Sequence, residues 1–238
     1  MVRFPTFVVC TMHCDEPDFE HCVRSIAQQK NVNIKHIVVD NLPEVEAHNV
    51  VYRTFNDADP SWIRAKIDAD VTLIDEHILE RVAQDLSLRP HAAGLMPAVY
   101  DRLTDSHINA GIMFYTSAAR FRHQSDPLKC DRNVLEPNVE ASILDWYCVG
   151  RHMQYANELT AFRYGFHRGL KGQHQIYEMV KVANERQPDP IRKMALAGFE
   201  AALTDAQFVT WHRGCGKVPT QHNYVDSEFM RLFSQHCQ

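Results

Sequence analysis

The first 115 residues alternate between short apolar runs and longer segments in which apolar residues recur at helical spacing. The short runs predict buried strands, and the periodic segments predict helices. The predicted strands are Thr6 to Thr11, Ile34 to Val39, Trp62 to Ile67, Ala92 to Tyr100 and Ile108 to Tyr115. The predicted helices are Phe19 to Gln29, Glu44 to Asn56 and Asp75 to Leu88. This alternation predicts an α/β fold with a mostly parallel sheet flanked by helices.

The pattern changes after Tyr115, where the predicted strands stop. The segments Glu158 to Arg186 and Pro190 to Leu203 have helical periodicity throughout. They predict a helical layer in the C-terminal third of the chain. We therefore expect a core of residues 1–155 and a helical extension, residues 156–238, that packs on this core.

The helix predicted around residues 162–171 has two notable features. Gly165 and Gly169 are four residues apart, a spacing that predicts close packing against another helix. Four basic or imidazole side chains also share one face, where they can bind an anion or simply face solvent. They are Arg163, His167, Lys171 and His174.

Composition and charge narrow the class of protein. The chain has 238 residues, of which 45% are hydrophobic and 23% charged, as in an ordinary globular protein. Its net charge of −5 argues against salt-driven nucleic-acid binding, which needs clustered Lys and Arg. The sequence has no signal-peptide pattern and no run of 18 apolar residues. Seven scattered cysteines without C-x-x-C spacing fit a reducing compartment. We expect a cytoplasmic protein with at most peripheral membrane contact.

The segment with the most chemical information is Ile63 to Asp70, an apolar strand that ends in two carboxylates separated by one alanine. Hard cations such as Mn²⁺ or Mg²⁺ take oxygen ligands, and substrate phosphates can complete their coordination. Asp68 and Asp70 are therefore predicted metal ligands, although Asp is also common in turns. Lys66 and Arg64 precede them and can offset phosphate charge or, through strand alternation, face solvent.

Three segments in order give this chain a family resemblance: FVVCTMHCDEPDFEHCVRSIAQQ, HIVVDN and AKIDADVTL. With them the first 115 residues resemble the family 2 glycosyltransferases, which share the GT-A fold, a Rossmann-like sheet. The resemblance implies a nucleoside diphosphate sugar as donor. It also implies that the first-strand loop near Thr11 wraps the base and that Asp40 binds base or ribose. Lys66 and Asp68 are then expected at the donor as well.

Sugar transfer with inversion, which the resemblance implies, needs a carboxylate to deprotonate the acceptor hydroxyl. Family members carry this acid at the start of a helix, and Asn138 to Trp146 is the best match. Glu140 and Asp145 are its candidate bases. The familiar Glu-Asp pair is missing, so Asp101 stays a third candidate, and Glu140 can equally be an ordinary first-turn helix acid.

A histidine after the last core element can complete the metal coordination in enzymes of this fold. His152 lies at a suitable place, and His167 is the alternative. The chain has 14 histidines, most of which are expected to be structural or at the surface.

We therefore expect an enzyme, a hexosyl-type transferase that adds a single sugar to a glycan or lipid-linked acceptor in polysaccharide biosynthesis. The Q-x-x-R-W signature of processive relatives is absent. One alternative is a catalytically silent GT-A module. Another is a nucleotidyltransferase, but the loop Met12 to Pro17 is acidic and lacks the glycines of a phosphate loop. Acceptor recognition is expected in the helical region, on segments such as Trp211 to Tyr224.

Overall fold

The computed structural model describes residues 4–89, 91–125, 142–204 and 227–236. Within these ranges the chain forms eight strands and seven helices. The strands are β1 Thr6–His13, β2 Asn33–Asp40, β3 Ile63–Ile67, β4 Val71–Leu73, β5 Gly94–Asp101, β6 Ser106–Ile108, β7 Ile112–Tyr115 and β8 Ser142–His152. The helices are α1 Phe19–Ala27, α2 Glu44–Asp57, α3 Ile78–Ser87, α4 Glu158–Leu170, α5 His174–Arg186, α6 Pro190–Thr204 and α7 Ser227–His236.

The eight strands of the described residues form one sheet, in the order β2-β1-β3-β7-β5-β8-β4, with β6 paired to β5. β1 runs parallel to β2 and β3, and β5 runs parallel to β8. β7 and β4 run antiparallel to their neighbours. Five of the seven strands on this path thus point the same way. The predicted α/β class with a helix-flanked sheet is confirmed, and the sheet is mixed, since three of the six pairings on this path are antiparallel.

Helices cover both faces of this sheet because the central strands are apolar on both sides. In β1, Phe7 and Val9 belong to one buried cluster, and Val8 and Cys10 belong to another. The first cluster is completed by residues of α1 and α3, namely Cys22, Ile26, Ile78, Leu79, Val82 and Leu86. The second is completed from α2 by Val51, Tyr52 and Phe55. Burial on two faces explains why β1 has an unbroken apolar sequence.

Strand β2 departs from its prediction as a buried strand, because Val39 is its only buried residue. It lies at the end of the strand order and pairs with β1. An edge strand has a neighbour on one side only, so residues such as Ile34 and Ile37 are only partly covered. The apolar run indicated a strand correctly but could not indicate its position in the sheet.

Strand β8 corrects two further expectations. Strands do not stop at Tyr115, and Asp145 does not lie at the start of a helix, because Ser142–His152 forms a strand between β5 and β4. The aromatic and β-branched residues in this segment suit a pleated strand. Pairing with two strands distant in sequence therefore holds this segment in extended form.

The chain divides into two compact units. One comprises Met1–Asp101 and His107–Gln154, and the other comprises Arg102–Ser106 and Tyr155–Gln238. The second unit contains α4 to α7, which confirms the predicted C-terminal helical region. Packing of that region on the core stays a prediction. No helix of the described residues combines the length and apolar character needed to cross a membrane.

Within the helical unit, α4 and α6 pack so closely that their backbones touch at glycines. A Cβ at Gly165 would lie 1.8 Å from the carbonyl oxygen of Ala195, and one at Gly198 would lie 2.1 Å from that of Phe162. A Cβ at Gly169 would lie 2.7 Å from the Cβ of Ala202. These contacts confirm the close packing predicted from the spacing of Gly165 and Gly169.

The basic face expected around α4 is divided between two helices. α4 ends at Leu170, and α5 begins at His174 after a turn in which Gly172 has φ +66°. Glycine accepts this left-handed conformation without the strain that a side chain would cause. The prediction of one stripe through His174 is therefore wrong, and only Arg163 and His167 share α4.

Candidate metal centre

The two acids of the D-A-D segment lie in the short turn between β3 and β4. The backbone N–H of Asp68 donates to the carbonyl of Gly111 at 2.7 Å, and the N–H of Met153 donates to the carbonyl of Asp70 at 2.9 Å. Ala69, between the acids, is buried. Both ends of the turn are thus fixed by neighbouring chain segments, with the two carboxylates left partly exposed.

His152, the last residue of β8, lies between two carboxylates. Its Nε2 is 3.2 Å from Oδ2 of Asp70, and its Nδ1 is 2.5 Å from Oδ2 of Asp101. His152 is 3% exposed and Asp101 0% exposed. Asp70 is the member of the trio whose carboxylate retains contact with solvent. The fold therefore brings together one predicted metal ligand from the turn and another from the end of β8.

The two acids change the protonation of His152. Burial disfavours the charged ring and lowers its pKa, but the charges and hydrogen bonds of Asp70 and Asp101 outweigh this effect. The pKa of His152 is raised to about 10. The two carboxylates thus stabilise the positively charged form of the His152 ring.

Strand register fixes this arrangement. In the sheet His152 lies opposite Val71 of β4 on one side and opposite Asp101 of β5 on the other. Gly111, with φ +71°, closes the site beside the ring. A Cβ there would lie 2.6 Å from Cγ2 of Val71 and 3.4 Å from Cδ2 of His152. The glycine before β7 therefore lets the backbone approach the ring closely at this site.

The two acids of the turn have different partners. Asp68 forms an ion pair with Lys66, two residues earlier on β3, and the Lys66 side chain is mostly buried. Asp70 instead faces His152. A lysine ammonium already offsets the charge of Asp68, which leaves Asp70 as the acid beside the imidazole.

Arg64 has no part in this cluster, although sequence position placed it near the acids. It is 2% exposed, and its guanidinium donates to the backbone carbonyls of Phe55, Trp62 and Ala58 at 3.0, 3.0 and 3.3 Å. Burial lowers its pKa. Arg64 therefore holds the C-terminal end of α2 against β3 and is a structural residue.

A second group of polar residues lies where β1 and β2 end. Asp40 is the register partner of His13, and its Oδ1 is 2.9 Å from the Nδ1 of that ring. The ring stacks on Phe19 with centroids 3.7 Å apart. The Asp40 carboxylate is 56% exposed, so it has surface with which to meet a ligand.

Thr11 lies inside β1 and not in the loop that follows. Its side chain is fully buried, and its hydroxyl oxygen is 3.0 Å from Nε2 of His36. Any contact of this chain segment with a ligand falls to the residues after Thr11, of which His13 is the last in the strand.

Of the three candidate catalytic bases, Asp101 is the one whose side chain lies within the described residues. Glu140 lies outside the described residues, and so do the side chain of Asp145 and the segment Trp211 to Tyr224. Asp101 is described, and it is enclosed beside His152 without exposed surface. It therefore cannot reach an acceptor hydroxyl in solvent. His167, the alternative metal ligand, lies on α4 in the helical unit.

Sequence reasoning missed two residues of this centre, Asp101 as the partner of His152 and Gly111 as the residue that closes the site. Asp101 follows an apolar strand just as Asp68 does. A search for acids at strand ends would have found it. The approach of Gly111 depends on strand pairing, which leaves no local signal in the sequence.

Asp70 and His152 are close enough to bind one divalent cation together once Nε2 of the ring has lost its proton. Two donors on adjacent corners of an octahedral ion lie about 3 Å apart when each bond is about 2.1 Å. The 3.2 Å between Asp70 Oδ2 and His152 Nε2 matches this separation. The described residues contain no group of three or more His, Cys, Asp and Glu side chains that could hold a metal ion. Water and substrate phosphates commonly supply the remaining ligands of such ions.

Comparison with known proteins gives distant likenesses only. No protein-family model and no curated protein matches this chain. Among solved structures, TarS 1–349 of S. aureus is 11% identical with a TM-score of 0.42, over 98% of this chain and 81% of that one. It has also been solved with UDP.

Two further structures are similar at the same level. The mannosyltransferase PcManGT from Pyrobaculum calidifontis, solved with GDP-Man and Mn²⁺, is 11% identical with a TM-score of 0.46. The match covers 99% of this chain and 85% of that one. The glycosyltransferase GlyE of Streptococcus pneumoniae TIGR4 is 13% identical with a TM-score of 0.33, over 92% and 65% of the two chains. An activity for this chain must be argued from its own residues.

Proposed function

We propose that this chain is a metal-dependent glycosyltransferase that moves a single sugar from a nucleoside diphosphate sugar to an acceptor, with inversion. The acceptor class is a glycan or a lipid-linked glycan. The observation that carries the proposal is the pairing of Asp70 with the buried His152 beside the D-A-D turn. The D-A-D turn supplies a metal-binding motif, and Asp70 and His152 are close enough to bind one cation together.

Asp70 and His152 would hold the cation, with Asp68 next to them in the turn. The nitrogen donor favours Mn²⁺ over Mg²⁺, because Mg²⁺ prefers an all-oxygen shell. A bound cation supplies charge neutralisation for the departing nucleoside diphosphate. Lys66, already paired with Asp68, adds positive charge to the same side of β3.

The donor nucleotide is proposed to lie along the ends of β1, β2 and β3. Asp40 would bind the base or ribose, because its carboxylate is exposed and oriented by His13. The ligands of open α/β sheets bind outside the carboxyl ends of the strands. The loop after Thr11 would then wrap the base, and Asp68 with Lys66 would lie nearer the phosphates.

The base that deprotonates the acceptor is proposed to be Glu140 or Asp145. Each must reach the acceptor hydroxyl within hydrogen-bonding distance to take its proton. Activities of Glu140→Gln and Asp145→Asn, measured with saturating donor, would distinguish the two.

The first test is thermal unfolding with nucleoside diphosphates, including GDP and UDP, with and without Mn²⁺. A ligand at 100 times its Kd stabilises the native state by about 2.7 kcal/mol. For a chain of this size the midpoint should rise by roughly 5–10 °C. Asp70→Ala should abolish the Mn²⁺-dependent part of the rise. Asp75→Asn, which removes an exposed acid at α3, is the matched control and should retain it.

Each result has a definite meaning. A Mn²⁺-dependent rise with one nucleotide, followed by transfer from its sugar to an acceptor, supports the proposal and names the donor base. A rise without transfer or donor hydrolysis would make the chain a silent nucleotide-binding module. No rise with any nucleoside diphosphate and Mn²⁺ would refute the proposal.

A further inference from the structure

We infer that Asp101 is a positioning residue that prepares His152 to bind the cation. The inference rests on the proposed function, because it concerns the same metal centre. Asp101 is 0% exposed, and its Oδ2 is 2.5 Å from Nδ1 of His152. Its proposed effect on cation binding is exerted through the ring, which it contacts directly.

The hydrogen bond determines which ring nitrogen faces the metal. With Nδ1–H donated to Asp101, Nε2 is the nitrogen directed at Asp70, 3.2 Å away. A histidine ligand commonly donates its other ring N–H to a carboxylate, which fixes the tautomer and ring orientation. Asp101 is a carboxylate, and it lies at hydrogen-bonding distance from Nδ1, the nitrogen that does not face Asp70.

The sheet holds Asp101 in place independently of any ligand. Asp101 and His152 are register partners where β5 and β8 run parallel. Gly111 packs on the ring from another side, where a Cβ would lie 3.4 Å from Cδ2 of His152. These contacts leave the ring little freedom to rotate. The hydrogen bond to Asp101 sets which ring nitrogen faces Asp70.

Burial of Asp101 is costly unless it serves a partner. A carboxylate removed from water loses its hydration, which must be replaced by hydrogen bonds and opposite charge. An amide or an apolar residue would fill the same position between strands at lower cost. The carboxylate is explained by a ring that must be held in one orientation.

The test measures binding of Mn²⁺ alone to the full chain by electron paramagnetic resonance, without donor or acceptor. Asp101→Ala should weaken Mn²⁺ binding by about 10- to 100-fold. Asp101→Asn keeps an oxygen that can accept the Nδ1–H and should recover part of the loss. Asp75→Asn, again the control for removal of one acid, should bind Mn²⁺ as the wild type does.

A double-mutant cycle shows whether Asp101 acts through the ring. His152→Ala should weaken Mn²⁺ binding, and adding Asp101→Ala to it should weaken binding less than twofold further, since coupled residues are not additive. Additive losses, or unchanged binding in a folded Asp101→Ala or Asp101→Asn variant, would overturn the inference. So would a wild type that does not bind Mn²⁺. A wild type that binds Mn²⁺ but transfers no sugar would refute the proposed function and leave this inference intact.

Discussion

The two compact units achieve dense packing by opposite means. In the helical unit, contact is closest where side chains are missing, because Gly165 and Gly198 let the backbones of α4 and α6 meet. Aromatic rings fill the space around this contact, with Phe162, Phe166 and Phe229 at centroid distances of 5.4 to 6.4 Å.

The α/β unit places charged groups in its closest contacts. Asp70, His152 and Asp101 meet at the junction of β4, β5 and β8, and two of the three are almost fully buried. Such a cluster is expensive to desolvate and is retained where charge is needed. The helical unit thus packs most closely at glycines, whereas the α/β unit packs closely at a charged cluster that we propose serves binding.

This difference yields predictions that separate stability from function. Substitutions in the glycine contact should change the free energy of unfolding and leave metal affinity unaltered. Substitutions in the charged cluster should weaken metal binding, which substitutions in the glycine contact should not do. A substitution in the glycine contact that weakened metal binding would contradict this comparison.

The largest effect is expected for Asp70→Ala on sugar transfer. Loss of a metal ligand removes several kcal/mol of charge stabilisation from the transition state. We expect kcat/KM to fall about 10³-fold, which corresponds to about 4 kcal/mol. Unfolding in urea should change less than this, because the carboxylate is partly exposed. A loss below tenfold in kcat/KM would remove Asp70 from the metal centre.

The next effect is expected for Gly165→Ala on stability. The new Cβ would lie 1.8 Å from the carbonyl oxygen of Ala195, so the helices must separate. Overpacking of this kind costs about 3 kcal/mol, measured as a lower urea midpoint. Gly172→Ala is the control, because it meets no atom within 4 Å and has only the strain of φ +66°. Equal losses in the two variants would contradict the backbone contact.

The sequence predicted strands well where the apolar pattern of a segment matches the burial of its residues in the fold. β1 has apolar residues on both faces and β3 on one, and both were found with only small errors at their ends. β2 and β8 were harder, because edge position and pairing with distant strands leave no local signal. The α4 to α5 break depends on Gly172, which the helical periodicity on either side concealed.

The candidate site shows the same division. Sequence reasoning singled out Asp70 and His152, and the fold brings their side chains together. It did not connect His152 with Asp101, because that contact spans 51 positions and follows from the register of β5 with β8. A motif indicates which residues carry chemistry, whereas the partners that orient them are set by the sheet.

A smaller loss is expected for Arg64→Met, which tests whether buried charge in the α/β unit always serves binding. Its guanidinium donates to three backbone carbonyls, which methionine would leave without these donors. Unsatisfied buried acceptors should lower the free energy of unfolding by about 2 kcal/mol. Mn²⁺ affinity should stay unchanged. A folded Arg64→Met variant with tenfold weaker Mn²⁺ binding would instead link Arg64 to the centre.

The smallest effect is expected at the start of α4, where the helical unit does use a polar contact. Oδ1 of Asn157 accepts the backbone N–H of Thr160 at 2.9 Å and so caps the helix. Asn157→Ala should lower the free energy of unfolding by about 1 kcal/mol. Asn157→Asp keeps the acceptor and suits the positive end of the helix dipole, so it should match or exceed the wild type. If Asn157→Ala cost as much as Gly165→Ala, the stability of this unit would depend on caps as strongly as on its glycine contact.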